Sequence, residues 1–196
     1  GWATDVELRA RCLRQLHTAL LDNLEEIRAT TVAEVGTPVA LTYGPQLDAP
    51  VSFIPYYADL AECYDWSEDL GDAEPMGIPS HRWIEEEPIG VVGAITAWNF
   101  PHQLNIAKIA PALAAGNTVV LKPSDTTPAS TTLFAELCQE FLPPGVFNVV
   151  CGDRDTGRAL VEHPVPQMVA ITGSVRAGME VAKSAASDLK KVHLEL

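Results

Sequence analysis

The sequence predicts a doubly wound α/β fold: a mostly parallel five-stranded sheet with helices on both faces, preceded by a helical N-terminal segment. Three observations predict it. From His81 onward, short Val/Ile/Leu runs alternate with helical patterns, as in a parallel sheet covered on both sides. Before that point, Leu13, Leu16, Leu20, Leu24 and Ile27 recur at helical spacing with charged residues between them. Polar, charged and glycine residues then gather just after each apolar strand, which marks one edge of the sheet as a binding edge.

The helical lead-in is read over residues 1–80. Thr4-Asp5-Val6-Glu7 has capping-box spacing at its start, and Gly36-Thr37-Pro38 ends the first helical stretch. A second amphipathic segment runs from about Val51 to Tyr64, followed by an acidic Gly/Pro-rich loop from Asp65 to Pro79. Residues 81–90 begin with "HRWIEEEP", which alternates weakly, like an exposed edge strand or hairpin arm.

Within residues 91–196, strands are predicted at Val91–Ala97, Thr118–Lys122, Val146–Val150, Met168–Thr172 and Lys191–Glu195. Helices are predicted at Leu104–Ala115, Ala129–Glu140, Thr156–Glu162 and Val175–Ala186, the first kinked or split by Pro111.

Bulk properties narrow the function classes. The chain has 196 residues, 47% of them hydrophobic, with a formal net charge of −13. Phosphate backbones and anionic bilayers repel such a chain, so nucleic-acid and membrane partners are not expected. Cys12, Cys63, Cys138 and Cys151 show no metal-ligand spacing. They predict no metal site and fit a reducing cytoplasm. The chain opens on Gly-Trp-Ala and stops inside the apolar run "VHLEL", which reads as a piece of something longer.

The strand-end residues carry the candidate chemistry. "AITAWNFP" delivers Asn99 between an aromatic and a proline, where its amide could be a preorganised donor to a developing oxyanion or simply make a turn. Lys122 and Asp125 place a cation and a carboxylate on one turn, suited to ribose and phosphate oxygens, or to a local surface ion pair. Gly173-Ser174 lies between strand and helix, offering an anion site or a plain helix cap. The tract lacks G-x-G-x-x-G, so a dinucleotide would not use that turn. Glu195 ends an apolar strand. Partial desolvation there would raise its pKa toward general-base range, unless the strand end is open to water.

The tract "EEEPIGVVGAITAWNFPHQLNIAKIAPALAAGNTVVLKPSDTTP", the later "ITGS" and the terminal "LEL" resemble the NAD(P)-dependent aldehyde dehydrogenase superfamily, from about Glu85 to Leu196. The resemblance implies a Rossmann-like NAD-binding domain over 91–196 and an oligomerisation arm over 81–90. It implies that Asn99 stabilises the oxyanion and Glu195 activates water for thioester hydrolysis. Lys122 and Asp125 would hold the adenosine ribose, with Ser124 beside them, and Ser174 with Gly173 the pyrophosphate. Thr96, Ala97 and Trp98 would line the cofactor cleft, and Gly152, Gly157 and Leu196 would complete it.

The carboxylate of Asp125 would repel a 2′-phosphate, which favours NAD over NADP. Arg154, where the family often has glycine, is the residue that could tolerate that phosphate. The family's nucleophilic cysteine lies downstream of the glutamate, so a catalytic cysteine domain is not expected in this chain. The implied parent is a cytoplasmic homo-oligomer that oxidises a small-molecule aldehyde to a carboxylic acid, and the chain alone is predicted inactive. The alternatives are a nucleotide-binding module without chemistry and a structural subunit built on the arm.

Overall fold

The computed structural model describes all 196 residues, Gly1–Leu196. Helix α1 (Val6–Asp22) is capped by Asp5, whose carboxylate accepts from the Leu8 amide at 2.9 Å. The capping box read at Thr4 is therefore displaced by one residue. Thr4 instead donates its hydroxyl to the Gly1 carbonyl. Asp5 is the better cap because an ionised carboxylate also meets the positive helix end. Helix α2 (Leu24–Val35) follows after a break at Asn23 and stops at Gly36, whose φ of 71° suits a residue without Cβ.

A short α3 (Val39–Thr42) follows, and α4 (Asp48–Ser52) and α5 (Ile54–Cys63) replace the single helix read over 51–64. Pro55 in the first turn of α5 lacks an amide hydrogen, which favours a new helix start there.

The acidic stretch read as a loop over 65–79 is a correction. Ser67–Ala73 forms strand β1, paired antiparallel with β2 (Ser80–Glu85), with one 3₁₀ turn between them. The hairpin is exposed on both faces, so the ladder rather than burial holds it, and "SEDLGDA" shows no apolar alternation. Residues of "HRWIEEEP" do form a hairpin arm.

The main sheet has the order β5-β4-β3-β6-β7, all parallel. Its strands are β3 (Val91–Ile95), β4 (Thr118–Lys122), β5 (Phe147–Val149), β6 (Met168–Thr172) and β7 (Lys191–Glu195). The strand order turns outward on either side of β3, so the switch point lies between β3 and β6. The connecting helices are α6 (Pro101–Ala114), α7 (Ala129–Gln139), α8 (Arg154–Glu162) and α9 (Val175–Ala185). Pro111 lies inside α6 and does not split it, which leaves a kink as the other outcome read from sequence.

The two faces are unequal. On one, α1, α4, α5, α6 and α7 enclose a core that includes Val92, Ala94, Val119, Leu121, Ile109 and Phe134. On the other, α8 and α9 cover a smaller cluster of Val161, Val169, Ile171 and Val181. Apolar burial at roughly 25 cal/mol per Å² anchors the first face strongly and the second lightly. The second face keeps an opening.

Candidate active site

That opening is a cavity of about 560 Å³ between α8, α9 and the carboxyl end of the sheet. Ile95, Ile171, Val161 and Val181 give it apolar walls. Five of the chain's 13 basic residues line it, namely Lys122, Arg154, Arg158, Arg176 and Lys183, against the acids Asp153, Glu162 and Glu180. In a chain of net charge −13 this local excess of cations favours an anionic ligand.

Lys122 ends β4 and is 6% exposed. Burial lowers its pKa, and Asp125, Asp153 and Cys151 pull the other way. Its ammonium makes no hydrogen bond or ion pair within the chain and opens on the cavity. The ion pair with Asp125 that the spacing allowed is not formed. Asp125 is exposed on the following turn, where the Ser124 hydroxyl lies 3.4 Å from its Oδ1.

Both helix starts at this edge are capped from within. The Asp153 carboxylate accepts from the Asp155 amide at 2.9 Å and from Thr156 at 3.4 Å. The Ser174 oxygen accepts from Ala177 at 3.3 Å, so Ser174 is the N-cap of α9. Capping uses the oxygen and leaves the hydroxyl hydrogen available, while the first-turn amides of Val175 and Arg176 have no intrahelical acceptor. Gly152 has φ 150°, and a Cβ there would lie 2.1 Å from Thr156 Oγ1. Gly157 packs close to Ile95 at the cavity wall, and Gly173 sits over Ile171. Leu196 packs on Gly178 of α9.

At the switch point, Thr96 is buried, Ala97 half-buried, and Trp98 and Asn99 are exposed. The Thr96 hydroxyl donates to Asn105 Oδ1 at 2.9 Å, and Asn105 Nδ2 donates to Thr131 Oγ1 at 2.9 Å. This buried network ties the end of β3 to α6 and α7. The Asn99 carbonyl accepts from Gln46 Nε2 at 2.7 Å, while its carboxamide takes no hydrogen bond within the chain. A fixed backbone with an unengaged amide matches what an oxyanion donor requires.

Glu195 ends β7. Thr172 donates its hydroxyl to Glu195 Oε2 at 2.7 Å, and the buried Lys108 ammonium lies 3.3 Å from the same oxygen. The Thr172 bond, helped by Lys108, holds the carboxyl below the ordinary carboxylate range. The upward shift read from sequence is thus a correction: the side chain is 53% exposed and hydrogen-bonded in its charged form. Lys108 was not read from the sequence as a site residue. A lysine on an amphipathic helix gives no signal that its partner lies 87 residues away.

None of the four cysteines meets Asn99 or Glu195 through a hydrogen bond. Cys12 and Cys138 are buried, with thiol pKa values pushed up by burial, and Cys63 and Cys151 are exposed.

Known proteins resemble this chain over its full length. The chain is 42% identical over 198 residues to geranial dehydrogenase of Castellaniella defragrans, covering 100% of this chain and 41% of that protein. It is 40% identical over 200 residues to 3-succinoylsemialdehyde-pyridine dehydrogenase of a Pseudomonas species, covering 100% of this chain and 40% of that one. A crystal structure of Mycobacterium tuberculosis aldehyde dehydrogenase complexed with NAD+ superposes with a TM-score of 0.93 at 35% identity, over 100% of this chain and 40% of that chain. The chain therefore spans about two fifths of the length of the relatives it matches. The family model described as "Aldehyde dehydrogenase family" matches residues 1–196, without a gap at either end, and the chain belongs to that family.

Proposed function

We propose that this chain is the cofactor-binding portion of an aldehyde dehydrogenase that oxidises an aldehyde to a carboxylic acid with NAD as acceptor. The observation that carries the reading is Lys122: a lysine whose stem is buried and whose ammonium, without a hydrogen bond or ion pair in the chain, opens on a cavity with apolar walls and a cationic rim. A ligand in that cavity would supply the oxygen acceptors that the chain does not. The residues fit a dinucleotide. Lys122 and Asp125 would hold the ribose hydroxyls, with Ser124 steadying Asp125. Gly173, the Ser174 hydroxyl and the Val175 and Arg176 amides would face the pyrophosphate. Gly152, Gly157 and the walls of the cavity would admit the adenine side, and Thr96, Ala97, Trp98 and Leu196 would border the cleft. The Asp125 carboxylate disfavours a 2′-phosphate, which makes NAD the preferred form over NADP.

When bound, NAD supplies the hydride acceptor. The chain's own residues act around it. The Asn99 amide donates to the aldehyde oxygen as negative charge develops there. Glu195 is ionised at neutral pH, and its Oε1 makes no bond within the chain, so it can take a proton from water for thioester hydrolysis. Thr172 and Lys108 fix the carboxylate in place. The nucleophile is assigned to a cysteine outside residues 1–196, and this chain alone is expected to be inactive.

The helices within residues 1–80 serve as support, 81–90 with its hairpin partner Ser67–Ala73 as an association arm, and 91–196 as the NAD domain. The exposed Leu70, Trp83 and Ile84 on the hairpin support a homo-oligomer. Four free cysteines and no disulfide support a cytoplasmic site of action. The test is NAD reduction by the intact protein that carries these residues, offered a panel of aldehydes. Aldehyde-dependent reduction supports the reading. A protein that binds no NAD and reduces none contradicts it.

A further inference from the structure

We infer that Gln46 is a positioning residue for Asn99, and that Arg28 holds the loop from which Gln46 acts; the inference rests on the reading of Asn99 as oxyanion donor. Gln46 lies between α3 and α4, 53 residues before Asn99, and is 3% exposed. Its Nε2 donates to the Asn99 carbonyl at 2.7 Å. Its Oε1 is buried with no partner. A glutamine kept only for packing would leave no orphan acceptor, because an apolar side chain of similar size fills the space without that cost. The alternative amide orientation would set Oε1 against the Asn99 carbonyl oxygen and remove the bond. The orientation is therefore dictated by Asn99.

The loop itself is braced. The Gln46 amide donates to the Leu41 carbonyl at 3.0 Å, and Leu47 and Ala49 both donate to Gly44. Arg28 of α2, buried to 4% exposure, spans the loop from both ends. Its Nη1 donates to Thr42 Oγ1 at 2.9 Å and its Nη2 to Asp48 at 2.9 Å. The guanidinium also lies over the Tyr43 ring, 3.9 Å from its centroid. Asn99 itself sits exposed between β3 and α6, where only a hydrogen bond from outside its own segment can fix its carbonyl. The chain of contacts is continuous from Arg28 through the loop to Gln46 and Asn99. It sets the backbone from which the amide reaches its target.

The test uses Gln46→Met in the intact protein, because methionine keeps the volume while removing both the donor and the orphan acceptor. The expected result is unchanged or raised thermal stability, unchanged NAD affinity, KM within a few-fold, and kcat lower by roughly 10- to 100-fold, since small misplacement of an oxyanion donor costs rate. Placed on an Asn99→Ala background, Gln46→Met should cause no further loss, whereas independent roles would multiply. Full kcat in Gln46→Met, or losses that multiply with Asn99→Ala, overturns the inference while leaving the proposed function standing. Full kcat in Asn99→Ala itself overturns the reading of Asn99, and the inference falls with it.

Discussion

Thr172 and Lys108 meet on one oxygen: the Thr172 hydroxyl donates to Glu195 Oε2 at 2.7 Å, and the Lys108 ammonium lies 3.3 Å from the same atom. Two strands and a helix thereby converge on a single carboxylate, leaving Oε1 free. The arrangement keeps Glu195 ionised and aimed, at some cost in basicity.

Thr172→Val should raise the Glu195 pKa, because the hydroxyl bond is the largest cause of its depression. The depressed value contributes stability above the unfolded carboxylate pKa, and that contribution fades as pH falls through the folded value. At 53% side-chain exposure the stability effect is small and the pKa is the better readout. Carboxyl-carbon NMR titration of the two proteins checks it. An identical or lower Glu195 midpoint in the variant would refute the assignment.

His102 makes a second pH prediction. It is 1% exposed, and burial lowers its pKa to about 4. The Thr31 hydroxyl donates to the Ile27 carbonyl at 2.7 Å, so at 2.8 Å it can only accept from His102 Nε2. The unfolded chain binds a proton near pH 6.5 and the folded chain does not, so stability is full above that pH and declines toward pH 4. The loss is roughly 3 kcal/mol over that window. Urea denaturation at stepped pH should show the decline, and His102→Gln should remove it. A wild-type curve flat between those pH values would contradict the assignment.

Gly152→Ala should destabilise the fold by roughly 1–3 kcal/mol. Its φ of 150° is strained for a residue with Cβ, and that atom would meet Thr156 Oγ1 at 2.1 Å. A shift in urea midpoint measures the cost, and equal midpoints would show that the turn relaxes.

Much of this was legible in the sequence, for physical reasons that differ between elements. Thr118–Lys122 and Met168–Thr172 match their predicted limits because parallel strands need continuous apolar runs, whereas the edge strand Lys191–Glu195 matches on Val192 and Leu194 alone. Asn99, Lys122 and Glu195 stand out in the sequence because they follow or end apolar strands, the edge at which such sheets bind ligands. The strand Ser67–Ala73 was missed because it buries neither face. Lys108, Gln46 and Arg28 give no such signal: helix patterns assign the lysine and arginine to solvent, a loop glutamine reads as exposed, and their burial is decided by tertiary packing. Glu195 was placed correctly and its pKa misjudged, since strand position does not disclose the Thr172 hydroxyl.

The central claim is that Lys122 waits for a dinucleotide. Calorimetric titration of the protein with NAD, beside the Lys122→Met variant, tests it most directly. The account predicts saturable binding that the variant weakens at least about tenfold, the loss of one charge-assisted hydrogen bond. NAD binding of equal strength in both proteins, or none in either, would contradict it.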